Sequence, residues 1–441
     1  MVSRSRVAFT PRLTSQLKPL ANFLNALFIQ LRVAPRHQSF LTTMYNIMRD
    51  LTVTALAVVA LASPTTTRAV KPKAWTNFND NPVFYPEINA TSWRTLYGRT
   101  LQLPDNSILL SWEDYDPDAT LTYFPIWKST DGGVSFKYFS RVDDQVNGWG
   151  NWYQPFLYAL PEPFGGYPKG TVLLAGVSTP RDLEEAYIDL YASTNKGQDW
   201  EFVSHIVYGP GREVIDKGQQ AVWEPFFHMY KDQLICYYST QVDPNHNQKL
   251  SHKTTKDLRN WSMEVDDVAE PDSSVRPGMA TVAYSPVSKN YVMTFEYCGG
   301  PIAGGCPVYY KVSKSPLTFG TVASQPIIPD DGQLNPNGSP FVIWTPEPDK
   351  KGKGIFIANG NSREEVFVNT DAVDPKGWKP VNVGQWSAYS RELRIINTPT
   401  YSAAEGKQKL LITNGGNIGC SGSCYNFVAN GVVDIPNYPL S

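Results

Sequence analysis

"STDGGVSF", residues 129–136, is a short turn whose pattern recurs along the chain and decides the fold. In this pattern, S-x-D-x-G-x-x-aromatic, the Asp side chain hydrogen-bonds its own turn, glycine accepts a positive φ, and the final ring enters the core. "STNKGQDW" (193–200) keeps the pattern with Asn195 in place of Asp. Three further copies are decayed: "TTKDLRNW" (254–261), "SKSPLTF" (313–319) and "NTDAVDPKGW" (369–378).

The spacing of these turns predicts the architecture. Their final aromatic residues are 64, 61, 58 and 59 positions apart, and short apolar runs such as "TVLLAGV" and "YVMTFEY" lie between them. A period near 60 residues with several strands per unit is typical of propeller blades, whereas stacked β-sandwiches need no even spacing. We predict an all-β, six-bladed β-propeller, closed by "FVANGVVDIP" near the C-terminus pairing with the first blade.

The N-terminal region differs from the rest of the chain. Residues 1–49 contain no Asp or Glu, and the segment from Met48 has a charged start, a short apolar stretch and small residues after it. This is a signal-peptide pattern, too short to span a bilayer. We interpret 1–43 as an upstream extension absent from the mature protein, 44–69 as the signal peptide region and 70–441 as the propeller. A basic organelle presequence is the alternative to secretion.

Charge and composition exclude several function classes. Without residues 1–69 the chain carries 31 Lys and Arg against 40 Asp and Glu, a net charge of −9, so nucleic acid is not an expected partner. The five histidines show no metal-ligand spacing, and no phosphate or dinucleotide motif occurs. We expect a secreted, extracellular monomer with no cofactor, no metal and no membrane partner.

The cysteines and sequons fit a secreted protein. The spacing predicts two short disulfide loops, Cys298–Cys306 and Cys420–Cys424, and leaves Cys236 as a buried free thiol. Sequons at Asn89, Asn260 and Asn337 are consistent with N-glycosylation.

A recurring X-Pro step predicts where a site would lie. We place it at the start of the strand that follows each repeat turn, where proline is tolerated. The residues before these prolines are Gln154, Glu224, Arg276 and Ser339; Arg99 takes the place in the first blade, and Tyr389, Arg391 and Glu392 are candidates in the last. Because the innermost strands of a propeller run beside its axis, these residues are expected to line one central funnel.

Two glutamates in this region suit acid–base chemistry. Glu224 lies in "QQAVWEPFFHMY" (219–230), and Arg276 is expected to keep it ionised; a structural salt bridge plugging the axis is the alternative. Glu296 ends the next strand of its blade, in "FEYCGG", where aromatic neighbours raise a carboxyl pKa. One ionised and one protonated carboxyl is the pair that glycoside hydrolysis requires. Glu113, in "SWEDYD", is a rival acid, and Trp152 belongs to an aromatic loop suited to stacking on sugars or to the core.

The combination of motifs resembles a known family. The repeat turns and blade count resemble the sialidase superfamily, and "WEPFF" and "FEYCGG", 72 residues apart with "RPGM" between them, resemble glycoside hydrolase family 93. That resemblance covers about residues 75–440 and implies a secreted exo-α-1,5-L-arabinanase that releases arabinobiose with retention of configuration. It implies Glu224 and Glu296 as the two catalytic residues. We assign Glu224 as nucleophile and Glu296 as acid/base, with the reverse left open, and expect Gln154, Arg276, Ser339, Arg99, Tyr389, Arg391 and Trp152 to bind substrate.

Two other functions compete. A sialidase needs three arginines around a carboxylate and a Tyr–Glu pair, which Arg99, Arg276, Arg391 and Tyr389 could supply, but "YGRTLQLP" stands where the first-blade arginine motif of sialidases belongs. A non-catalytic sugar-binding propeller would repeat similar pockets, whereas here the blades carry different polar residues at equivalent places.

Overall fold

Six four-stranded antiparallel sheets make up the part of the protein that the structure describes, which confirms the predicted six-bladed propeller. The computed structural model describes residues 75–86, 94–116, 119–216, 218–398, 408–418 and 425–439, all within the compact unit Lys71–Ser441. A single 3₁₀ turn, Phe319–Thr321, is the one helical element among these residues. Within the same residues, no helix has the length and apolar character needed to cross a bilayer.

The first three blades follow the chain order from the axis outward. Blade 1 consists of β2 (Thr95–Gln102), β3 (Ile108–Asp114), β4 (Phe124–Ser129) and β5 (Lys137–Val142). Blade 2 consists of β6 (Asn151–Ala159), β7 (Val172–Ser178), β8 (Ala186–Ser193) and β9 (Glu201–Gly209). Blade 3 consists of β10 (Val222–Tyr230), β11 (Gln233–Thr240), β12 (Lys249–Thr255) and β13 (Val265–Val268).

The remaining blades complete the ring, the last with help from the start of the propeller. Blade 4 consists of β14 (Arg276–Tyr284), β15 (Tyr291–Cys298), β16 (Val308–Ser313) and β17 (Gln325–Pro326). Blade 5 consists of β18 (Val342–Pro346), β19 (Gly354–Ala358), β20 (Val366–Thr370) and β21 (Lys379–Val381). Blade 6 consists of β22 (Glu392–Ile396), β23 (Lys409–Asn414), β24 (Val428–Asp434) and β1 (Phe78–Phe84).

Ring closure differs from the expectation in one respect. β24 does not pair with the first blade; it lies between β23 and β1, and β1 precedes the first blade. The pairing is reinforced where Asn81 Nδ2 donates to Asn430 Oδ1 at 2.9 Å, both side chains being buried. The N-terminal strand therefore forms the outer edge of the C-terminal blade, and the predicted pairing partner of β24 was wrong.

The repeat turn works as its residue types predict. Ser129 Oγ accepts a hydrogen bond from the Gly133 N–H at 2.9 Å, and Asp131 Oδ1 accepts one from the Ser135 N–H at 2.9 Å. Gly133 has φ 89°, and a Cβ there would lie 2.8 Å from the Asn430 side chain. The turn joins the third strand of a blade to the fourth, so the X-Pro strand comes one strand later than the sequence reading placed it.

Each innermost strand has a left-handed residue near its start, inside the strand in blades 1 to 4 and just before it in blades 5 and 6. These six residues, which we call the axial ring, are Tyr97, Gln154, Glu224, Met279, Ser339 and Ser390, with φ between 45° and 65°. In blades 1 to 4 the residue sits inside a β-bulge of the innermost pair. Left-handed backbone costs roughly 1–3 kcal/mol at a non-glycine residue. Its recurrence in every blade indicates that the axial geometry requires it.

Candidate active site

The left-handed backbone of the axial ring aims its N–H groups at side chains of another blade. Four such hydrogen bonds run around the axis: Gln154 N–H to Glu113 Oε1 at 2.9 Å, Glu224 N–H to Gln154 Oε1 at 3.3 Å, Met279 N–H to Glu224 Oε2 at 2.7 Å and Ser339 N–H to Glu296 Oε2 at 2.9 Å. In each bond the donor belongs to the blade that follows the acceptor's blade. The bulges therefore place three glutamates beside the axis and fix each of them from the next blade.

Glu224 is the axial-ring residue of blade 3 and is 8% exposed. Its Oε2 accepts both the Met279 N–H and the hydroxyl of Ser239, which lies on β11 at 2.5 Å. Among the described residues, no hydrogen bond to Glu224 Oε1 is found. One carboxyl oxygen is thus held by two donors while the other is left available.

Glu296 lies two residues before the end of β15 in blade 4, opposite Gly278 of β14. A Cβ at Gly278 would lie 2.8 Å from Gln248 Nε2 and 3.3 Å from Glu296 Oε1, so a larger residue there would displace the Gln248 amide and crowd the Glu296 carboxyl. Glu296 keeps partial solvent access and has one backbone donor, the Ser339 N–H. Ser339 itself is buried and meets Glu296 through its backbone, while its hydroxyl has no partner among the described residues.

Electrostatic effects connect the Glu224 and Glu296 carboxyls with each other and with Tyr389. Burial, and then the negative charge of Glu296, raise the pKa of Glu224 to about 7. Burial also raises the pKa of Glu296, against the opposing effects of the Ser339 N–H and the Arg276 charge. The pKa of the Tyr389 phenol is raised by burial and then by the charges of Glu224, Glu296 and Glu113. The structure therefore brings Glu224, Glu296 and Tyr389 together at the axis.

Glu113 is held more completely than the other two acids. Its Oε1 accepts the Gln154 N–H and its Oε2 accepts the Tyr115 hydroxyl at 2.5 Å. Burial raises the pKa of Glu113 to about 7, while Tyr115, Gln154 and the charge of Arg99 oppose the rise. Because both oxygens are engaged, Glu113 is better suited to positioning Gln154 than to giving a proton to a substrate.

Arg276 is not paired directly with Glu224. Its Nε donates to Gln248 Oε1 at 3.2 Å, and no ion pair to Glu224 is found among the described residues. Its charge lowers the pKa of Glu224, but burial outweighs it and the pKa is raised. The axial-ring residue of blade 4 is Met279, three positions later, because the left-handed bulge and not the X-Pro step marks the ring. The expectation that Arg276 keeps Glu224 ionised stays a prediction: its charge acts in that direction, without a direct ion pair.

Arg99 also lies off the ring position, two residues after Tyr97. It is 2% exposed and donates to the carbonyls of Gly98 and Ser390 at 2.9 and 2.8 Å, and to Ser390 Oγ at 2.5 Å. Its guanidinium carbon lies 3.8 Å from the centre of the Tyr97 ring. Arg99 therefore ties blade 1 to blade 6 beside the axis, and its hydrogen bonds are to the protein.

Arg391 is fully buried and its contacts are structural. Its guanidinium donates to five backbone carbonyls, those of Arg363, Glu364, Glu365, Gln385 and Trp386. The neighbouring Glu392 is similarly engaged, accepting the Thr100 N–H at 2.6 Å. Arg391 is unavailable to a ligand, so the expectation that it binds substrate was wrong and the three-arginine clamp of a sialidase cannot form here.

Replacing Arg391 by Met should destabilise the fold by about 3–5 kcal/mol, because five buried carbonyls lose their donor. Denaturant unfolding of the purified variant measures this loss. Arg141→Ala is the matched control, since Arg141 is half exposed and surface changes of this kind stay within about 0.5 kcal/mol. A stable Arg391→Met protein that fails only to bind sugar would contradict the structural role.

Aromatic side chains surround the mouth of the site. Tyr115 contacts both Trp152 and Tyr153, with ring centres 6.5 and 6.0 Å apart. Trp152 is half-buried and its Nε1 donates to the Trp149 carbonyl at 3.2 Å. Trp152 thus contacts Tyr115, which is the hydrogen-bond partner of Glu113 in the carboxyl cluster. A sugar bound beside this cluster could stack on the Trp152 ring.

The predicted disulfide Cys298–Cys306 is present and begins two residues after Glu296. Cys236 is a buried free thiol, as expected. The Cys420–Cys424 pair lies outside the described residues. Glu296, Cys298 and Cys306 place donor atoms within 4.8 Å of one another, but both sulfurs belong to the disulfide and offer no thiolate. This group does not fit a metal site.

Solved structures identify the relatives of this chain. The family 93 α-L-arabinofuranosidase of Fusarium graminearum, in complex with arabinobiose, is 42% identical, with 81% of this chain and 98% of that chain covered and a TM-score of 0.76. A complex of a Fusarium graminearum α-L-arabinofuranosidase with an iminosugar inhibitor matches at 41% identity, with the same coverage and TM-score. The α-L-arabinanase of Penicillium chrysogenum, complexed with arabinobiose, matches at 36% identity, 81% and 98% coverage and a TM-score of 0.75.

No protein-family model matches the chain, and neither does any curated protein sequence. The structural matches extend over nearly the whole length of each relative, and they share the six-bladed fold with this chain. Identity near 40% over that length is far above what a shared fold alone produces. The chain therefore belongs to glycoside hydrolase family 93.

Proposed function

We propose that the protein hydrolyses α-1,5-linked L-arabinan from the non-reducing end, releasing arabinobiose with retention of configuration. The observation that carries the proposal is the placement of Glu224 and Glu296 on consecutive blades, each held by a backbone N–H of the next blade and close enough for the Glu296 charge to raise the Glu224 pKa. Two carboxyls of this kind are the machinery of glycoside hydrolysis. The arabinobiose held by two of the relatives supports arabino-oligosaccharide as the ligand class.

Glu224 is the proposed nucleophile. Two donors hold its Oε2, which stabilises negative charge and fixes the carboxylate, while Oε1 is free to attack. In the first step, Oε1 forms a bond to the anomeric carbon as the bond from that carbon to the leaving oxygen breaks. The leaving chain takes its proton from Glu296, so the step ends with a glycosyl ester on Glu224 and an ionised Glu296.

Glu296 is the proposed acid/base. Its burial favours the protonated form before the reaction, and its partial solvent access admits the water needed afterwards. In the second step, Glu296 takes a proton from water, the water oxygen bonds to the anomeric carbon, and the ester to Glu224 breaks. Two inversions at one carbon restore the original configuration.

The floor of the funnel supports attack at a chain end. Tyr97 and Leu96 of blade 1 pack against Met279 of blade 4. Contacts between blades on opposite sides of the ring close the axis at the level of the axial ring. A polysaccharide cannot pass through, so only a terminus can reach the bottom of the site.

The activity should depend on pH through the coupled pair. The two carboxyls repel each other when both are ionised. The pair therefore keeps one proton until the pH approaches the Glu224 pKa of about 7. We expect kcat/KM to fall as pH rises through about 7, when the pair loses its last proton, and to fall at acid pH once both carboxyls are protonated. Glu113→Gln is the matched control, since Glu113 also has a pKa of about 7 but stands outside the pair. An alkaline limb that disappears in Glu113→Gln would contradict the assignment.

Hydrolysis of linear α-1,5-arabinan by the purified protein tests the proposal directly. We expect chromatography to show arabinobiose as the first product, with no ladder of intermediate lengths. NMR of the fresh product should show the α anomer before mutarotation. Monosaccharide release, a ladder of products, or an initial β anomer would each overturn one part of the proposal. Cleavage of sialosides without cleavage of arabinan would reject it entirely.

A further inference from the structure

Blade 2 carries a second group of aromatic side chains outside the carboxyl cluster. The group, which we call the aromatic platform, consists of Trp149, Tyr187, His205 and Tyr208. Trp149 stacks on Tyr187 with ring centres 5.7 Å apart and planes at 15°. Tyr187 in turn lies 4.1 Å from His205 and 4.7 Å from Tyr208, at angles of 29° and 33°. These rings come from a loop and from two neighbouring strands, β8 and β9.

Buried and half-buried polar groups hold the platform in place. Asp189 is fully buried beneath it and accepts from both sides, bonding His205 Nδ1 at 2.7 Å through Oδ1 and Asn147 Nδ2 at 2.7 Å through Oδ2. Asp144 Oδ2 accepts the Trp149 N–H at 2.7 Å, which fixes the loop that presents this ring. The rings are therefore ordered before any ligand arrives, so binding would cost little conformational entropy.

The platform remains open to solvent. Tyr208 is 43% exposed, and the His205 side chain is 41% exposed. Tyrosine, tryptophan and histidine together offer flat apolar faces with polar edges. Such surfaces suit a neutral sugar chain, whose rings pack on the faces while its hydroxyls bond at the edges.

The platform continues the mouth of the proposed active site. The Trp149 carbonyl accepts the Trp152 Nε1–H, Trp152 contacts Tyr115, and Tyr115 donates to Glu113 beside the axis. Ring contacts, together with one hydrogen bond to the Trp149 carbonyl, thus connect the carboxyl cluster to the outer strands of blade 2. Since the floor of the funnel is closed, a polymer bound by its terminus must leave through the mouth, and this path is available to it.

We infer that the aromatic platform binds the part of the arabinan chain that extends beyond the cleaved bond. This inference rests on the proposed function, because it takes the same polysaccharide as the occupant. The platform lies away from the reacting atoms, so its contribution is to the capture of long chains. Short oligosaccharides, held entirely within the funnel, do not reach it.

The test compares Tyr208→Ala with the wild type on substrates of different length. We expect kcat/KM on polymeric linear arabinan to fall about 3- to 10-fold, the worth of one aromatic contact, with no change on arabinotriose. Trp149→Ala should show the same division, and Tyr208→Trp should restore the wild-type value. Tyr138→Ala is the matched control, an exposed tyrosine on β5 outside the platform. Equal losses on both substrates, or no loss on the polymer, would overturn the inference.

A binding measurement separates this inference from the proposed function. Affinity electrophoresis of Glu224→Gln through gels containing linear arabinan should show retardation that Tyr208→Ala reduces. If the wild type does not hydrolyse arabinan, the proposed function fails whatever the gels show. If arabinan is hydrolysed but Tyr208→Ala leaves the retardation unchanged, only the platform inference fails. Equal retardation by gels of a cellulose derivative would also overturn it, since the platform would not then select arabinan.

Discussion

Replacing Glu224 by glutamine is expected to lower kcat on arabinan by about 10⁴-fold or more, the usual result of removing a nucleophile. Glutamine still offers a side-chain oxygen to the Met279 N–H and the Ser239 hydroxyl, which now hold Glu224 Oε2. It has no negative charge with which to form the glycosyl ester. The substitution should therefore remove the chemistry and preserve the geometry of the site.

The measurement is the rate of arabinobiose release by the variant, together with its thermal unfolding temperature and its affinity for arabinobiose. We expect unfolding and binding close to those of the wild type, because glutamine has nearly the same size and keeps an oxygen for the Met279 N–H and the Ser239 hydroxyl. Activity within tenfold of the wild type would exclude Glu224 as the nucleophile. Loss of binding together with activity would point instead to a role in holding the sugar.

Glu296→Gln is expected to lower kcat on arabinan by about 10²- to 10⁴-fold, the range that a general acid contributes. The leaving group in arabinan is a sugar hydroxyl, which departs only if it is protonated. An aryl arabinobioside with a nitrophenol leaving group needs no proton in the first step. On that substrate the glycosyl ester should form at nearly the normal rate and then accumulate, because no base activates the water.

Pre-steady-state kinetics with the aryl substrate distinguish the two glutamates. Glu296→Gln should give a burst of one nitrophenol per protein followed by slow turnover, and added azide should speed the slow phase by attacking the ester directly. Glu224→Gln should give no burst at all. Glu113→Gln, the third buried acid of the cluster, should keep turnover on both substrates within a small factor. A burst in Glu224→Gln and none in Glu296→Gln would reverse the two roles.

The blades could be predicted from the sequence because the signals that define them are local. Ser129, Asp131, Gly133 and Phe136 act within one turn, and the turn recurs at an even spacing. Glu224 and Glu296 could be found for a similar reason, since each interrupts an apolar strand. A carboxylate in such a place is costly unless other groups support it.

The axial ring could not be predicted in full, because its defining property is a backbone angle. The residue type of Met279 does not indicate a left-handed conformation, whereas the nearby Arg276 and the proline after it form a recognisable motif. The structural role of Arg391 could not be predicted for another reason. Its five carbonyl partners come from segments up to 28 residues away that only the folded ring brings together. The stacking partners of Trp149 lie on β8 and β9, at distances in sequence that no local motif records.

Because β1 belongs to the last blade, that blade can be completed only after the C-terminal strands have been synthesised. A ribosome delivers β1 long before β23 and β24, so this strand leaves the exit tunnel with no sheet to join. Blades 1 to 5 can form while synthesis continues, because each is built from consecutive residues. The ring closes only after the C-terminal strands have emerged, and until then β1 lacks its partner strand β24 and is open to pairing with other chains.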